Sequence, residues 1–257
     1  MYYEFFLHHI KELIDQINIS QGDVLQVVAS RCADAIAAER WVHLFGAGHS
    51  SIPVMEAFPR IGSYVGFHPL NELNLSYNSQ ILGGMAQRQA SFLEHIEGYA
   101  GAIMANYKFS PLDVIIIFSH SGINELVVDM ALIGKEKGMS VIGVTSIQHS
   151  KHNDARHSSG LRLFEVADYV IDTCAPEGDA FVDIEGLDYS VAGCSTILSC
   201  IIMNALVAQI ASELVKRNYM PTIWPSHNIT STSTKTEQVI QQEERVYSDY
   251  WNRLSKS

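Results

Sequence analysis

The chain has 257 residues, of which 47% are hydrophobic and 18% charged, and it carries a formal net charge of −11 at neutral pH. This composition supports a large buried core and argues against wholesale disorder. Because the chain is acidic and contains no basic run, we expect neither a nucleic acid nor a membrane among its partners.

Helices are predicted in residues 1–40. Apolar residues recur at helical spacing from Phe6 to Ile17, residues 18–22 are expected to break this helix, and Asp23 opens a second helix that ends near Glu39. The N-terminal pattern contains acids and histidines and lacks the basic region of a secretory signal. The four cysteines show no C-x-x-C spacing, so we expect buried, reduced thiols in a cytoplasmic protein.

Short apolar runs alternate with helical segments through the middle of the chain. The runs predicted to be strands span residues 41–46, 63–69, 114–118, 140–146 and 168–173. Helices are expected from about residue 52, over 91–107 and over 122–137, and residues 174–188 are expected to form a loop with several acids. This alternation, with strands that are apolar on both faces, predicts a parallel sheet between layers of helices.

Two further helices are predicted after the sheet. The first spans about residues 189–217 and is apolar enough to suggest a membrane helix, but it contains Ser195, Asn204 and Gln209. Burial in a soluble α/β protein is the better interpretation, either under the sheet or between subunits. The second spans about residues 234–254. We expect a single domain over 1–257, with N-terminal helices in 1–40, an α/β core in 41–217 and a C-terminal loop and helix in 218–257.

Three of the predicted strands end in small, hydroxyl-bearing residues. These exits are GAGHSS at 46–51, SHSGIN at 119–124 and TSIQHS at 145–150. Glycines let backbone N–H groups approach a ligand, helix N-termini attract anions, and serine hydroxyls donate without bulk. The exits predict an anion site suited to phosphate at one edge of the sheet, although serine capping of a helix would explain any one of them. The residues predicted to line it are Gly48, Ser50, Ser51, Ser119, Ser121, Gly122, Asn124, Thr145 and Ser146.

The first two of these exits are also the basis of a family resemblance. They fit neither the dinucleotide-binding G-x-G-x-x-G pattern nor a phosphate loop that ends in G-K-[ST]. FGAGHSS followed by FSHSGINE resembles the two signatures of the sugar isomerase (SIS) domain family, a G-x-G-x-S turn and an S-x-S-G-x-[T/S/N] turn, and the match covers residues 41–173. In particular, the chain resembles SIS proteins of the phosphoheptose isomerase type.

The resemblance implies a fold, a ligand and roles for individual residues. The fold is a three-layer αβα sandwich with a five-stranded parallel sheet, flavodoxin-like, in homodimers or homotetramers that bind a phosphorylated sugar. Ser119, Ser121 and Asn124 would hold the phosphate with the backbone of Gly122, joined by Ser50 or Ser51. Asn124 stands where many members have threonine, but its amide can still donate a hydrogen bond.

Candidate catalytic groups lie near the predicted site. An aldose–ketose isomerase needs a base that moves a proton between C1 and C2, and a histidine that opens the sugar ring. Glu72, after the second strand, is the predicted base, unless it is only a solvated loop carboxylate. His49 and His120 lie in the two turns and His227 in a loop with two prolines; each is a candidate acid or base, or else a surface or capping histidine. The acids and histidines show no metal-ligand spacing, and we expect neither metal nor cofactor.

Three functions fit this sequence. A sugar-phosphate isomerase with a carboxylate base is preferred. A non-catalytic phosphosugar sensor or regulator is the first alternative, and an amino-sugar-phosphate lyase or deaminase is the second, because one fold can host several chemistries.

Overall fold

A parallel sheet of five strands lies at the centre of the protein, for which a computed structural model describes residues 1–75, 86–226 and 233–256. The strands are β1 (Val42–Gly46), β2 (Phe67–Pro69), β3 (Val114–Phe118), β4 (Ser140–Thr145) and β5 (Tyr169–Asp172). They pair in the order β2-β1-β3-β4-β5, and every neighbouring pair is parallel. The predicted α/β fold with a five-stranded parallel sheet is confirmed.

Helices connect the strands and cover both faces of the sheet. Those in the described residues are α1 (Tyr2–Ala37), α2 (Ile52–Ala57), α3 (Ala86–Leu93), α4 (Tyr99–Met104), α5 (Glu125–Glu136), α6 (Ile147–His152), α7 (Leu163–Val166), α8 (Ser195–Lys216) and α9 (Ser233–Lys256). Single 3-10 turns span Gly48–Ser51 and Leu73–Leu75. A short antiparallel hairpin, β6 (Ala180–Val182) and β7 (Val191–Gly193), precedes α8.

Alternate residues of the central strands supply two hydrophobic cores. Ile116 and Phe118 of β3 belong to the core that also takes residues of α1, α2 and α8. Ile115 and Ile117 belong to the core that takes residues of α4, α5 and α7. Because side chains alternate along a strand and both faces are covered, β3 appears in the sequence as one uninterrupted apolar run.

The N-terminal segment forms one helix, so the prediction of a break at residues 18–22 is wrong. The Ser20 hydroxyl donates to the carbonyl of Gln16, 2.8 Å away, and so has a partner within the helix. Ile17 and Val28 are buried on either side. Packing of this continuous apolar face outweighs the low helix propensity of Gly22, which costs about 1 kcal/mol.

Other boundaries also differ from those predicted. The second strand covers only Phe67–Pro69 of the predicted 63–69, and the predicted helix over 91–107 is interrupted at Gly98, whose φ of +84° separates α3 from α4. The late helix begins at Ser195 instead of residue 189, because Val191–Gly193 pair with β6. Local periodicity does not reveal pairing between strands that are both only three residues long.

Helix α8 is the one helix in the described part of the chain that is long and apolar enough to cross a membrane. Leu198, Ile202, Leu206 and Ile210 are buried, and they belong to the core shared with α1 and α2. Ile197 and Val215 are exposed. The contacts agree with the interpretation that this helix packs against the protein's own core on one side.

A chain of buried polar groups crosses the sheet at the end where β1 and β3 begin. Asp113 accepts hydrogen bonds from the Arg40 guanidinium (3.0 and 3.1 Å) and from the backbone N–H of Trp41 (3.1 Å). His43 Nε2 lies 3.3 Å from Asp113, and His43 Nδ1 lies 3.0 Å from His68 Nδ1.

These contacts and their burial shift the pKa values of the three groups. Burial alone would raise the pKa of Asp113, but His43, Arg40 and backbone donors bring it to about 2. Burial lowers the pKa of His43, and burial together with His43 lowers the pKa of His68 to about 4.

We expect His68 to make unfolding easier as the pH falls from about 7 to about 4. Its pKa is about 4 in the folded protein against about 6.5 for an ordinary histidine, so in this window the unfolded chain binds a proton that the folded chain does not. The free energy of unfolding therefore decreases towards acid, by up to about 3 kcal/mol from this group alone. Urea denaturation across this pH range measures the slope.

The variant His68→Gln should have a smaller pH slope, whatever its stability at neutral pH. The matched control is His8→Gln, at an exposed histidine outside this buried group, and the slope of His68→Gln is compared with the slope of that variant. Equal slopes in wild type and His68→Gln would contradict the buried-histidine account.

Candidate functional site

A cleft of about 220 Å³ opens at the carboxyl edge of the sheet, where β1 and β3 end. Its lining comes mainly from two turns, from the residue after α3, from the residue before β6 and from the first residue of α8. The lining residues are Ala47, Gly48, His49, Ser50, Glu94, Phe118, Ser119, His120, Ser121, Asn124, Val127, Asp179 and Ser195. Seven of the residues predicted from the two strand exits therefore meet in one cleft: Gly48, His49, Ser50, Ser119, His120, Ser121 and Asn124.

The first turn is held tightly against the end of β1. Gly48 has a φ of +58°, which a glycine adopts without strain, and its carbonyl accepts a 2.7 Å hydrogen bond from the Ser51 hydroxyl. Gly46 has no room for a side chain, since a Cβ there would overlap the backbone carbonyl of Ser50. Ser51 is therefore a brace within the turn, whereas Ser50 lines the cleft.

The second turn is stabilised from within and from β4. The Ser119 hydroxyl accepts a 3.0 Å hydrogen bond from the Gly122 N–H, which leaves its own proton free to donate. Gly122 has a φ of +61° and is buried, and a Cβ there would lie 2.8 Å from the Thr145 hydroxyl. The glycine lets the turn close against β4, so that Ser119 and Ser121 face the cleft.

The hydroxyls of Thr145 and Ser146, in the third strand exit, donate to backbone carbonyls within the protein. Thr145 and Ser146 are fully buried. Thr145 donates to the carbonyl of His120 (3.1 Å), and Ser146 donates to the carbonyl of Ala175 (2.6 Å). Neither lines the cleft; both tie the second turn and the loop after β5 to the end of β4.

A carboxylate that the sequence did not single out enters the cleft from the end of α3. Glu94 Oε2 accepts a 2.8 Å hydrogen bond from the Asn124 amide, and the carbonyl of Glu94 accepts from the N–H of Leu126 (3.1 Å). Burial raises the pKa of Glu94, although the Asn124 hydrogen bond and the charges of His95 and Arg156 oppose that rise. A half-buried carboxyl with a raised pKa in a cleft is a typical candidate base.

His120 faces the same cleft without any hydrogen bond at either ring nitrogen among the described residues, although both nitrogens are buried. Burial lowers its pKa to about 4, so the ring is neutral at pH 7. Its ring packs on that of His149, with 4.5 Å between centroids. The Nδ1 of His149 accepts from the N–H of Gly178 (3.1 Å) and holds this second ring in place.

Asp179 occupies the N-terminus of α8. One of its oxygens accepts from the N–H groups of Cys194 (2.8 Å) and Ser195 (2.7 Å), and the other accepts from the Ser195 hydroxyl (2.9 Å). Burial alone would raise the pKa of Asp179, but these donors and His120 hold it below its usual value. The Asp179 carboxylate therefore already occupies the positive N-terminal end of α8.

The other predicted catalytic residues lie apart from this group or outside the described residues. Glu72 does not line the cleft; its carboxylate accepts hydrogen bonds from the side chain (3.0 Å) and backbone (3.3 Å) of Asn74. His49 lines the cleft but is largely exposed. His227 lies outside the described residues.

Sequence and structure comparisons relate the chain to known proteins. A family model of the SIS domain matches residues 5–146. A UPF0309 protein of Listeria monocytogenes is 32% identical over 228 residues, which cover 89% of this chain and 90% of that protein. A UPF0309 protein of Oceanobacillus iheyensis is 33% identical over 232 residues, which cover 90% of this chain and 92% of that protein.

Solved structures share the fold at low sequence identity. The phosphoheptose isomerase of Francisella tularensis has a TM-score of 0.53 at 12% identity, and the alignment covers 82% of this chain and 96% of that one. The phosphoheptose isomerase of Neisseria gonorrhoeae has a TM-score of 0.52 at 13% identity, covering 82% of this chain and all of that one (100%). The sugar isomerase domain of a transcription factor from Sphaerobacter thermophilus has a TM-score of 0.50 at 16% identity, covering 95% and 97%.

Proposed function

The chain belongs to the SIS domain family, and on this premise we propose that its cleft binds a sugar phosphate and that the protein isomerises the sugar between its aldose and ketose forms. The observation that carries the proposal is the position of Glu94. Its carboxylate shares a cleft with two serine-rich turns, and burial has raised its pKa. Proton transfer on a sugar phosphate requires a base next to a site that binds the phosphate, and Glu94 lies next to the two serine-rich turns in this way.

The phosphate is held by hydrogen bonds instead of by lysine or arginine. The described residues that line the cleft include neither. Ser50, Ser119 and Ser121 offer hydroxyl donors. Asn124 immediately precedes α5, a helix of 12 residues whose positive end favours an anion. Since Glu94 and Asp179 would repel a phosphate, we assign the phosphate to the serines and the sugar to the carboxylates.

Glu94 serves as the base for the proton that moves between C1 and C2. In its ionised form it takes the proton from one carbon to give an enediolate, and in its protonated form it returns the proton to the other carbon, while a hydroxyl proton moves from the oxygen that becomes the carbonyl to the former carbonyl oxygen. A raised pKa favours this cycle, because the carboxyl group must hold the proton between the two steps.

His120 is suited to the proton transfer at the sugar oxygens that opens the sugar ring. A neutral imidazole can donate from one nitrogen and accept at the other, and both nitrogens of His120 lack a partner among the described residues. It can therefore donate a proton to the ring oxygen from one nitrogen and accept the proton of the anomeric hydroxyl at the other, which opens the sugar ring. Asp179, fixed by Ser195, accepts hydrogen bonds from sugar hydroxyls nearby.

Proton NMR in D2O tests the proposal directly. The protein is incubated with phosphates of sedoheptulose, fructose, glucosamine and N-acetylglucosamine, and with the same sugars without phosphate. We expect deuterium incorporation next to the carbonyl, or a new anomeric signal, for at least one phosphorylated sugar and for none of the free sugars.

The other outcomes separate the remaining functions. Binding without exchange would contradict the isomerase and favour a phosphosugar sensor. Release of ammonia, or cleavage of a substituent at C2 or C3, would favour a lyase or deaminase. The absence of both binding and exchange for every phosphorylated sugar would overturn the proposal.

A further inference from the structure

We propose that Arg156 is a positioning residue: through Asn124 it holds the Glu94 carboxylate in the ionised state from which it accepts a proton. This inference rests on the proposed role of Glu94 as the base. Its own evidence is a linear set of contacts in which Arg156 donates to Asn124 (2.7 Å) and Asn124 donates to Glu94 (2.8 Å).

The donors and acceptors in this set fix the orientation of the Asn124 amide. A guanidinium can only donate, so the amide oxygen of Asn124 has to face Arg156. The amide nitrogen then has to face Glu94, and it donates to the carboxylate. The flipped amide would set two donors against each other at Arg156 and two acceptors against each other at Glu94. Only a protonated Glu94, which has a proton to donate, tolerates the flipped amide.

Arg156 is itself anchored beside the second turn. Its backbone N–H donates to the carbonyl of Ile123 (3.2 Å), the residue before Asn124. The next residue, His157, is buried and lies 3.0 Å from Asp129 of α5. The loop that carries Arg156 is therefore fastened at two points, to the residue before Asn124 and to α5, and the guanidinium has a defined position although it is exposed.

Other titratable groups surround this set of contacts. Arg156 Nη1 lies 3.4 Å from His95 Nε2, and His95 Nδ1 lies 2.9 Å from Glu125. When His95 is neutral, it accepts from Arg156 and donates to Glu125, so this branch also keeps the guanidinium in place. Across the cleft, the titratable groups that face Glu94 are His49, His120 and Asp179.

Through Asn124, Arg156 affects the protonation of Glu94 in a way that its charge alone would not. Burial favours the protonated form of Glu94, whereas the hydrogen bond from Asn124 favours the ionised form. Without Arg156 the flipped amide is no longer opposed when Glu94 is protonated, so the protonated state gains a second arrangement and the balance moves towards the protonated acid.

The test measures the carboxyl pKa of Glu94 in the substrate-free protein by carbon-13 NMR of labelled glutamate, with Glu94→Gln to assign the signal. We expect Arg156→Met to raise this pKa by about half a unit or more, a threefold change in the acid constant, and Arg156→Lys to restore most of it. Arg162→Met is the matched control: Arg162 lies on the same segment but donates to Asn153 and not to Asn124.

Repeating the Arg156 substitution in an Asn124→Leu variant separates an effect that acts through Asn124 from the direct effect of the Arg156 charge. In Asn124→Leu, removal of Arg156 should shift the pKa by clearly less than in the wild-type background, because only the through-space attraction is left. Equal shifts in both backgrounds, or no shift in either, would overturn the inference. Once a substrate is known, the acidic limb of the pH–rate profile should move by the same amount. The pKa measurement needs no substrate, so failure of the isomerase proposal would be seen separately, in the exchange experiment.

Discussion

Replacing Glu94 by glutamine is expected to slow deuterium exchange on the substrate by about a thousandfold, while the affinity for the sugar phosphate changes by less than about threefold. Glutamine has almost the same shape and can still accept the hydrogen bond from Asn124 through its amide oxygen. It cannot take a proton from carbon at neutral pH. The measurement is the exchange rate by NMR at saturating substrate, with a separate titration for binding.

Two controls make this prediction specific. Glu97→Gln alters a carboxylate three residues further along, which accepts from the N–H of Ser158 outside the cleft, and it should leave exchange unchanged. Glu72→Gln tests the base predicted from the sequence. If exchange survives in Glu94→Gln and disappears in Glu72→Gln, then Glu72 is the base and our assignment of Glu94 fails.

The substitution Gly46→Ala is expected to disable the first turn and to destabilise the protein. A Cβ at this position would lie 2.5 Å from the carbonyl carbon of Ser50 and closer still to its oxygen, and both are backbone atoms that cannot rotate away. The turn has to shift, which moves Ser50 out of the cleft. We expect a loss of about 2 kcal/mol in the free energy of unfolding and at least about a tenfold loss of affinity for sugar phosphate.

Gly22→Ala provides the control for this prediction. Gly22 lies inside α1, and a Cβ there would meet nothing within 4 Å. It should stabilise the protein by about 0.5 to 1 kcal/mol and leave ligand affinity unchanged. Urea denaturation and a ligand titration read out both variants. Wild-type affinity in Gly46→Ala would contradict the proposed role of the first turn.

The two turns could be predicted from the sequence because their chemistry is local. Each follows an apolar strand directly, and parallel strands bring their carboxyl ends to one edge, so Ser50 and Ser121 had to lie near each other. Residue type alone could not show where a hydroxyl points. Thr145 and Ser146 belong to the same kind of exit, yet their hydroxyls donate to backbone carbonyls away from the cleft.

Glu94 and Asp179 could not be singled out in the same way. Glu94 lies 30 residues before its partner Asn124, and its burial depends on how α3 packs against the start of α5. Asp179 was one of several acids in a long loop. Its role follows from the β6–β7 hairpin, which brings it back to Ser195, 16 residues later. Both contacts are products of the tertiary fold, and neither residue lies in a recognisable local motif.

The measurement that tests the central claim most directly is amide chemical-shift mapping with a sugar phosphate and with the same sugar lacking phosphate. The account predicts that the phosphorylated ligand shifts the amides of residues 47–50 and 119–124, and that the free sugar leaves them unchanged or shifts them far less. Shifts confined to the apolar groove formed by Met1, Phe5 and Phe181, or no shift with any phosphorylated sugar, would contradict the claim that this cleft is a phosphosugar site.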